Sequence, residues 1–181
     1  MTPVPALSPQ AQPLIRLDVD APVLAADWAH CDQLANFLAR LAAFDRADSF
    51  LYGNLLSTVL NELFEIVFVQ HTPPGQVNCS LWRDGKIDRI ELEIPADDKA
   101  RDFYLGGVAK AQAPEVDETY THLLLGEGQS DRIVGFLELA ADYDARISLE
   151  PFAQTNTLRL VVDVELEPSA ISPAQAPVTN P

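Results

Sequence analysis

Basic side chains are scarce in this sequence: 12 Lys and Arg stand against 27 Asp and Glu, a formal net charge of -15 over 181 residues. A surface of that sign repels phosphate backbones and anionic lipid, which argues against nucleic-acid and membrane partners. It also keeps a domain soluble, and it would steer a basic partner toward it. Cysteine is scarce too, with only Cys31 and Cys79. Neither belongs to a Cys-x-x-Cys pair, and His30, His71 and His122 are scattered, so no metal site is expected. His30 adjoins Cys31, but neighbours on a helix point in different directions. Both cysteines read as small apolar residues of a reducing compartment. Long apolar runs are missing, because Glu62 and Glu65 break the best candidate for a membrane span. The first twenty residues hold Pro3, Pro5, Pro9 and Pro13 and no basic start, so no secretory signal and a cytoplasmic location are expected. Gly-x-Ser-x-Gly, His-Glu-x-x-His, P-loop and dinucleotide fingerprints are all absent.

What is present suits one domain with a sizeable core, since 48% of the residues are hydrophobic. The ends differ in composition from the middle. Residues 1–13 and 168–181 are rich in Pro, Ala, Ser and Gln without apolar period, which predicts disordered tails around a domain over residues 14–167.

Between the tails the apolar period switches regularly. Leu14 to Val19 reads as a short strand. Asp27 can cap a helix from about Trp28 to Phe44, with Leu34, Phe37, Leu38 and Leu41 at helical spacing. Asp48 or Ser49 opens a second helix, about Phe50 to Gln70. Its apolar residues cover more than one stripe, so deep packing is expected; Pro73-Pro74-Gly75 stops it. Val77 to Trp82 and Ile87 to Ile94 alternate around Asp84-Gly85, a hairpin signal. Residues 95–114, with Gly106-Gly107 and Pro114, read as irregular. Helices over about Glu115 to Leu125 and Asp131 to Tyr143 follow, then strands over Ala145 to Glu150 and Thr157 to Leu166. The order predicts an α+β two-layer sandwich: a mixed or antiparallel sheet with helices on one face. Trp28 and Trp82 read as packing residues, and Asp97-Asp98 as a solvated loop.

That layout resembles the GHKL fold of histidine kinases, type II topoisomerases and anti-sigma-factor serine kinases, and is most similar to the anti-sigma-factor branch. The segment Val59-Leu60-Asn61-Glu62-Leu63-Phe64-Glu65-Ile66-Val67-Phe68 looks like the family's N-box, in which a glutamate is the general base and an asparagine one turn later holds Mg²⁺. The resemblance places Glu62 at the catalytic base. Ile66 falls where the asparagine would be, and a hydrocarbon offers a metal no lone pair. Where the family has an Asp-x-Gly-x-Gly loop for adenine, the chain reads Ile94-Pro95-Ala96-Asp97-Asp98-Lys99-Ala100, without glycine. Gly126-Glu127-Gly128-Gln129-Ser130 is similar in place to the family's phosphate loop, which would make Gly126 and Gly128 cofactor-binding residues. Glu127 and Asp131 would repel a triphosphate there, and a Gly-x-Gly is also an ordinary helix end. Glu62 and Glu65 equally fit helix glutamates facing solvent or a nearby base.

The resemblance therefore implies a regulator without a bound cofactor: a non-catalytic protein-binding domain of a bacterial partner-switching system with a degenerate nucleotide site. Its partners there would be a sigma factor, a STAS-domain antagonist or a PP2C-type phosphatase, with residues 95–114 free for recognition. The alternatives are an active serine protein kinase of the anti-sigma-factor type and a small-ligand binding domain using the vacated pocket.

Overall fold

The computed structural model describes residues 12–46, 48–70, 73–126, 132–150 and 156–166. Most of both expected tails lies outside the described residues, as do Glu127, Gly128 and Asp131. Strand β1 (Ile15–Asp20) leads into a single turn, α1 (Ala21–Leu24), then α2 (Ala29–Ala42) and the long α3 (Ser49–Val69). Strands β2 (Gln76–Asp84) and β3 (Ile87–Pro95) form the hairpin. Helices α4 (Asp98–Ala111), α5 (Val116–Leu124) and α6 (Val134–Tyr143) follow, and β4 (Arg146–Glu150) and β5 (Thr157–Val164) end the order.

All strand pairs are antiparallel, in the order β1-β2-β3-β5-β4. The register explains the two faces, because alternate residues of a strand point to opposite sides. Leu17, Cys79, Leu92, Leu160 and Leu149 lie in one row across the sheet, and Ile15, Leu81, Ile90, Val162 and Ile147 in the next. These residues join the buried side chains of the helices in one core. The opposite face carries Asp18, Asn78, Glu93, Arg159 and Glu150 in a row, tied by Asn78 to Asp18 (2.6 Å) and Arg159 to Glu93 (2.8 Å). This is the expected two-layer α+β sandwich, with the sheet antiparallel throughout.

The turn at Gly85, with φ 61, takes a left-handed conformation at no steric cost, as a two-residue hairpin loop requires. Helix α3 begins where Asp48 accepts a hydrogen bond from the Leu51 N–H (3.0 Å). Its buried residues run from Tyr52 through Leu56, Val59, Leu60, Leu63, Phe64 and Ile66 to Val67. Arg83 of β2 ties this helix to the hairpin, reaching Asp88 (3.0 Å), the Tyr52 hydroxyl (2.9 Å) and the Ala42 carbonyl (3.0 Å).

Three expectations need correction. Residues 95–114 are not irregular. Asp97 caps α4 by accepting from the Ala100 N–H (2.8 Å), and Ala100, Tyr104 and Val108 lie at i, i+4 and i+8 on its buried side. Gly107 does not break this helix but lets it approach α6, since a Cβ there would meet the Phe136 ring at 2.4 Å. That segment is thus structure, not an open recognition loop. The second correction concerns α2, which buries Cys31, Ala35, Leu38, Ala39 and Ala42 while Phe37 and Leu41 face outward. Small residues line the inner side because α2 lies close against α3. The third is Trp28, which is exposed rather than packed.

Candidate functional site

A groove of about 420 Å³ lies between α3 and α6. Helix α3 contributes Glu62, Glu65, Ile66 and Val69, at i, i+3, i+4 and i+7, so helical spacing alone puts them on one face. Helix α6 contributes Val134, Gly135 and Glu138, and Arg132 stands just before it. The helices meet at Gly135. A Cβ there would lie 3.0 Å from Ile66 Cγ1 and 3.2 Å from Glu62 Oε2, so any larger side chain would crowd Glu62.

The electrostatics follow from this packing. Glu62 is half-buried, and its pKa is pushed up to about 7, first by burial and then by the charges of Glu138 and Glu65. Glu138 is also raised, by burial and then by Asp142 and Glu65, against a hydrogen bond from Tyr120 that lowers it. Asn61 donates to Glu65, and the Tyr120 hydroxyl lies 3.2 Å from Asp142 Oδ2. Three carboxylates thus converge on one groove, and among the described residues of its lining Arg132 is the only basic one. No group of acidic, histidine or cysteine side chains among the described residues has the arrangement of a metal site.

Glu62 lines the groove. Ile66, buried at 2% exposure, forms part of its wall and presents only hydrocarbon. Gly126 takes φ 75 at the end of α5 and donates to the Leu123 carbonyl (3.1 Å), the geometry of a helix C-terminal turn. Gly128 lies outside the described residues. Glu138, Gly135 and Arg132 were not found from sequence. A glycine inside the apolar pattern of α6 was the available signal for close helix approach.

The raised Glu62 makes a pH prediction. Its folded pKa lies above the unfolded value, so the stability it contributes is complete below about 4.5 and is lost as pH rises through about 7. Glu62→Gln imitates the protonated state. After discounting for partial exposure, the variant should be about 1–2 kcal/mol more stable than the parent at pH 8 and equal to it near pH 4. Urea melts at the two pH values check this.

No family model matches the chain, and no curated protein does. One solved structure, the crystal structure of the SiaB-SiaC complex from Pseudomonas aeruginosa, contains a chain that aligns with TM-score 0.45 and 9% identity, covering 82% of this chain and 88% of that one. A likeness this distant carries no argument about function. Among the described residues no helix is long and apolar enough to cross a membrane.

Proposed function

We infer that the chain is a non-catalytic, protein-binding regulatory domain of a bacterial partner-switching system, built on a GHKL-like frame whose nucleotide site has degenerated. The observation that carries this reading is the groove between α3 and α6. Where the resemblance would put Mg²⁺ and a triphosphate stand three carboxylates and the hydrocarbon of Ile66. Adding a polyanion to that groove brings like charges together in a site partly removed from water, where repulsion is strongest. A site that has lost its ligand leaves the domain its surfaces, and the regulatory partners implied are a sigma factor, a STAS-domain antagonist or a PP2C-type phosphatase.

The active serine kinase remains the second reading, and one observation favours it. A carboxyl group titrating near neutrality is what a general base needs, and Glu62 is pushed up to about 7. The test is direct binding between the purified chain and purified members of the three partner classes, with and without Mg-ATP. The regulatory reading expects a complex with one class that nucleotide leaves unchanged. Phosphate transfer to a STAS-domain protein, abolished by Glu62→Ala, would replace it with the kinase.

A further inference from the structure

Strand β1 is an edge of the sheet. It pairs with β2, and among the described residues no strand pairs with its other side. The Ala21 N–H donates to the Gly75 carbonyl (2.8 Å), one step beyond the pairing of Asp20 with Gln76. Hydrogen-bonded pairs alternate along an antiparallel ladder, so Val19, Leu17 and Ile15 are the β1 residues that bond to β2. The N–H and C=O groups of Arg16 and Asp18 therefore point away from the sheet. Such an edge is a template for another strand.

The helix layer is open at the same edge. Helix α2 packs chiefly against α3 and β1. Its Asn36, Arg40 and Ala43 turn toward α3, where they line a cleft with Ser49, Gly53 and Asn54. The Ala43 Cβ lies 3.5 Å from where a side chain on Gly53 would begin. Helical spacing puts Leu34 and Leu41 on the opposite side of α2, with Phe37 beside them. Leu34 is half-buried, while Phe37 and Leu41 are 55% and 50% exposed. Ile15, Leu17 and Val19 of β1 are half-exposed as well. One edge of the domain thus joins outward backbone groups to an apolar flank in both layers.

The charges on β1 select the occupant. A second copy related by a two-fold axis lays β1 antiparallel to itself. Only registers that set outward residues against outward residues can bond, which excludes a slip of one residue. An axis through Leu17 puts Arg16 opposite Asp18 of the second copy and Asp18 opposite its Arg16. Ile15 then meets Val19, so the core face continues across the junction. An axis through Asp18 opposes two aspartates, and one through Arg16 opposes two arginines, both unfavourable. We propose that the chain forms a two-fold dimer through antiparallel β1 strands centred on Leu17, with the Leu34, Phe37 and Leu41 flanks of the two α2 helices packed beneath the junction. The net charge of -15 on each copy opposes this, but at physiological salt charges farther apart than about 8 Å are largely screened. A six-residue strand alone falls short of the roughly 800 Å² per partner of a stable interface, and the α2 flank supplies the second layer. The proposal depends neither on the nucleotide groove nor on the class of regulatory partner.

Sedimentation of the full chain at tens of micromolar should show a dimer. Arg16→Asp, which faces Asp18 of the second copy, should weaken it at least tenfold. Adding Asp18→Arg restores the opposed charges and should recover most of that loss. Phe37→Ser, on the exposed flank of α2, should also weaken the dimer at least tenfold. All three variants should keep the parent's far-ultraviolet circular dichroism. Leu17→Cys tests the register, because residues opposed in a non-hydrogen-bonded pair lie about 4.5 Å apart, within disulfide reach. It should link two chains under mild oxidation, while Cys31 and Cys79, both buried, stay out of the reaction. A monomer at these concentrations, a dimer indifferent to Arg16→Asp and Phe37→Ser, or cross-linking by Asp18→Cys in place of Leu17→Cys would overturn the proposal. Nucleotide binding between α3 and α6 would sink the regulatory reading and leave this one standing.

Discussion

Asp163→Ala should destabilise the protein by about 3–5 kcal/mol, read as a lower urea midpoint. Asp163 on β5 sits directly opposite Arg89 on β3 and holds it in a two-pronged grip, with Nε to Oδ1 at 2.7 Å and Nη2 to Oδ2 at 2.9 Å. The side chains are 7% and 0% exposed, so neither charge is shared with bulk water. Hydrogen bonding to Asp163 is the first cause holding the Arg89 pKa above its usual value, and burial opposes it. Removing the carboxylate leaves a guanidinium that cannot deprotonate in a site it cannot easily leave. The pair itself is a different matter. Desolvating both charges costs nearly what their attraction returns, so Arg89→Met with Asp163→Leu should recover most of the loss. A cost below about 1 kcal/mol for Asp163→Ala would mean that water reaches the pair.

Leu60→Ala or Leu63→Ala should each cost about 2–5 kcal/mol in the same melts. Both side chains are 0% exposed on α3, and both belong to the core that the sheet and the other helices share. Alanine removes the buried hydrocarbon and leaves a cavity that close-packed neighbours fill only in part, so the transfer loss and the cavity loss add. Phe50→Ala at the exposed start of the same helix should cost under about 0.5 kcal/mol. Equal effects at Leu60 and Phe50 would contradict the orientation of α3.

Much of this fold was legible in the sequence where local chemistry and burial agree. Asp48 caps α3, and the hydrophobic residues of that helix exceed one stripe, so its position and depth both follow from spacing. The alternation on either side of Gly85 gave the hairpin in the same way. Helix α4 was hidden because Gly106, Gly107 and the prolines on either side read as breakers. Gly107 is there for a tertiary reason, the Phe136 ring of α6, which no local pattern reveals. Half of the apolar face expected for α2 turns outward: Leu38 is buried and Leu34 packs on the core, but Phe37 and Leu41 are exposed, and Cys31, Ala35, Ala39 and Ala42 complete the inner side. Of the groove, Glu62 was legible by its resemblance to an N-box. Glu138 was not, since only the approach of α6 at Gly135 brings it near.

The most direct test of the account is a calorimetric titration of the full chain with Mg-ATP, repeated with Mg-ADP and backed by thermal shift. The residues that would hold the ligand act on different parts of it. Ile66 cannot ligate the metal, the segment from Ile94 to Ala100 lacks the adenine-binding pattern, and Glu62, Glu65 and Glu138 oppose the phosphates. No saturable heat and no upward shift in melting temperature at millimolar nucleotide is the predicted result. A dissociation constant in the micromolar range, about 8 kcal/mol of binding free energy, would contradict the account and put the serine kinase in its place.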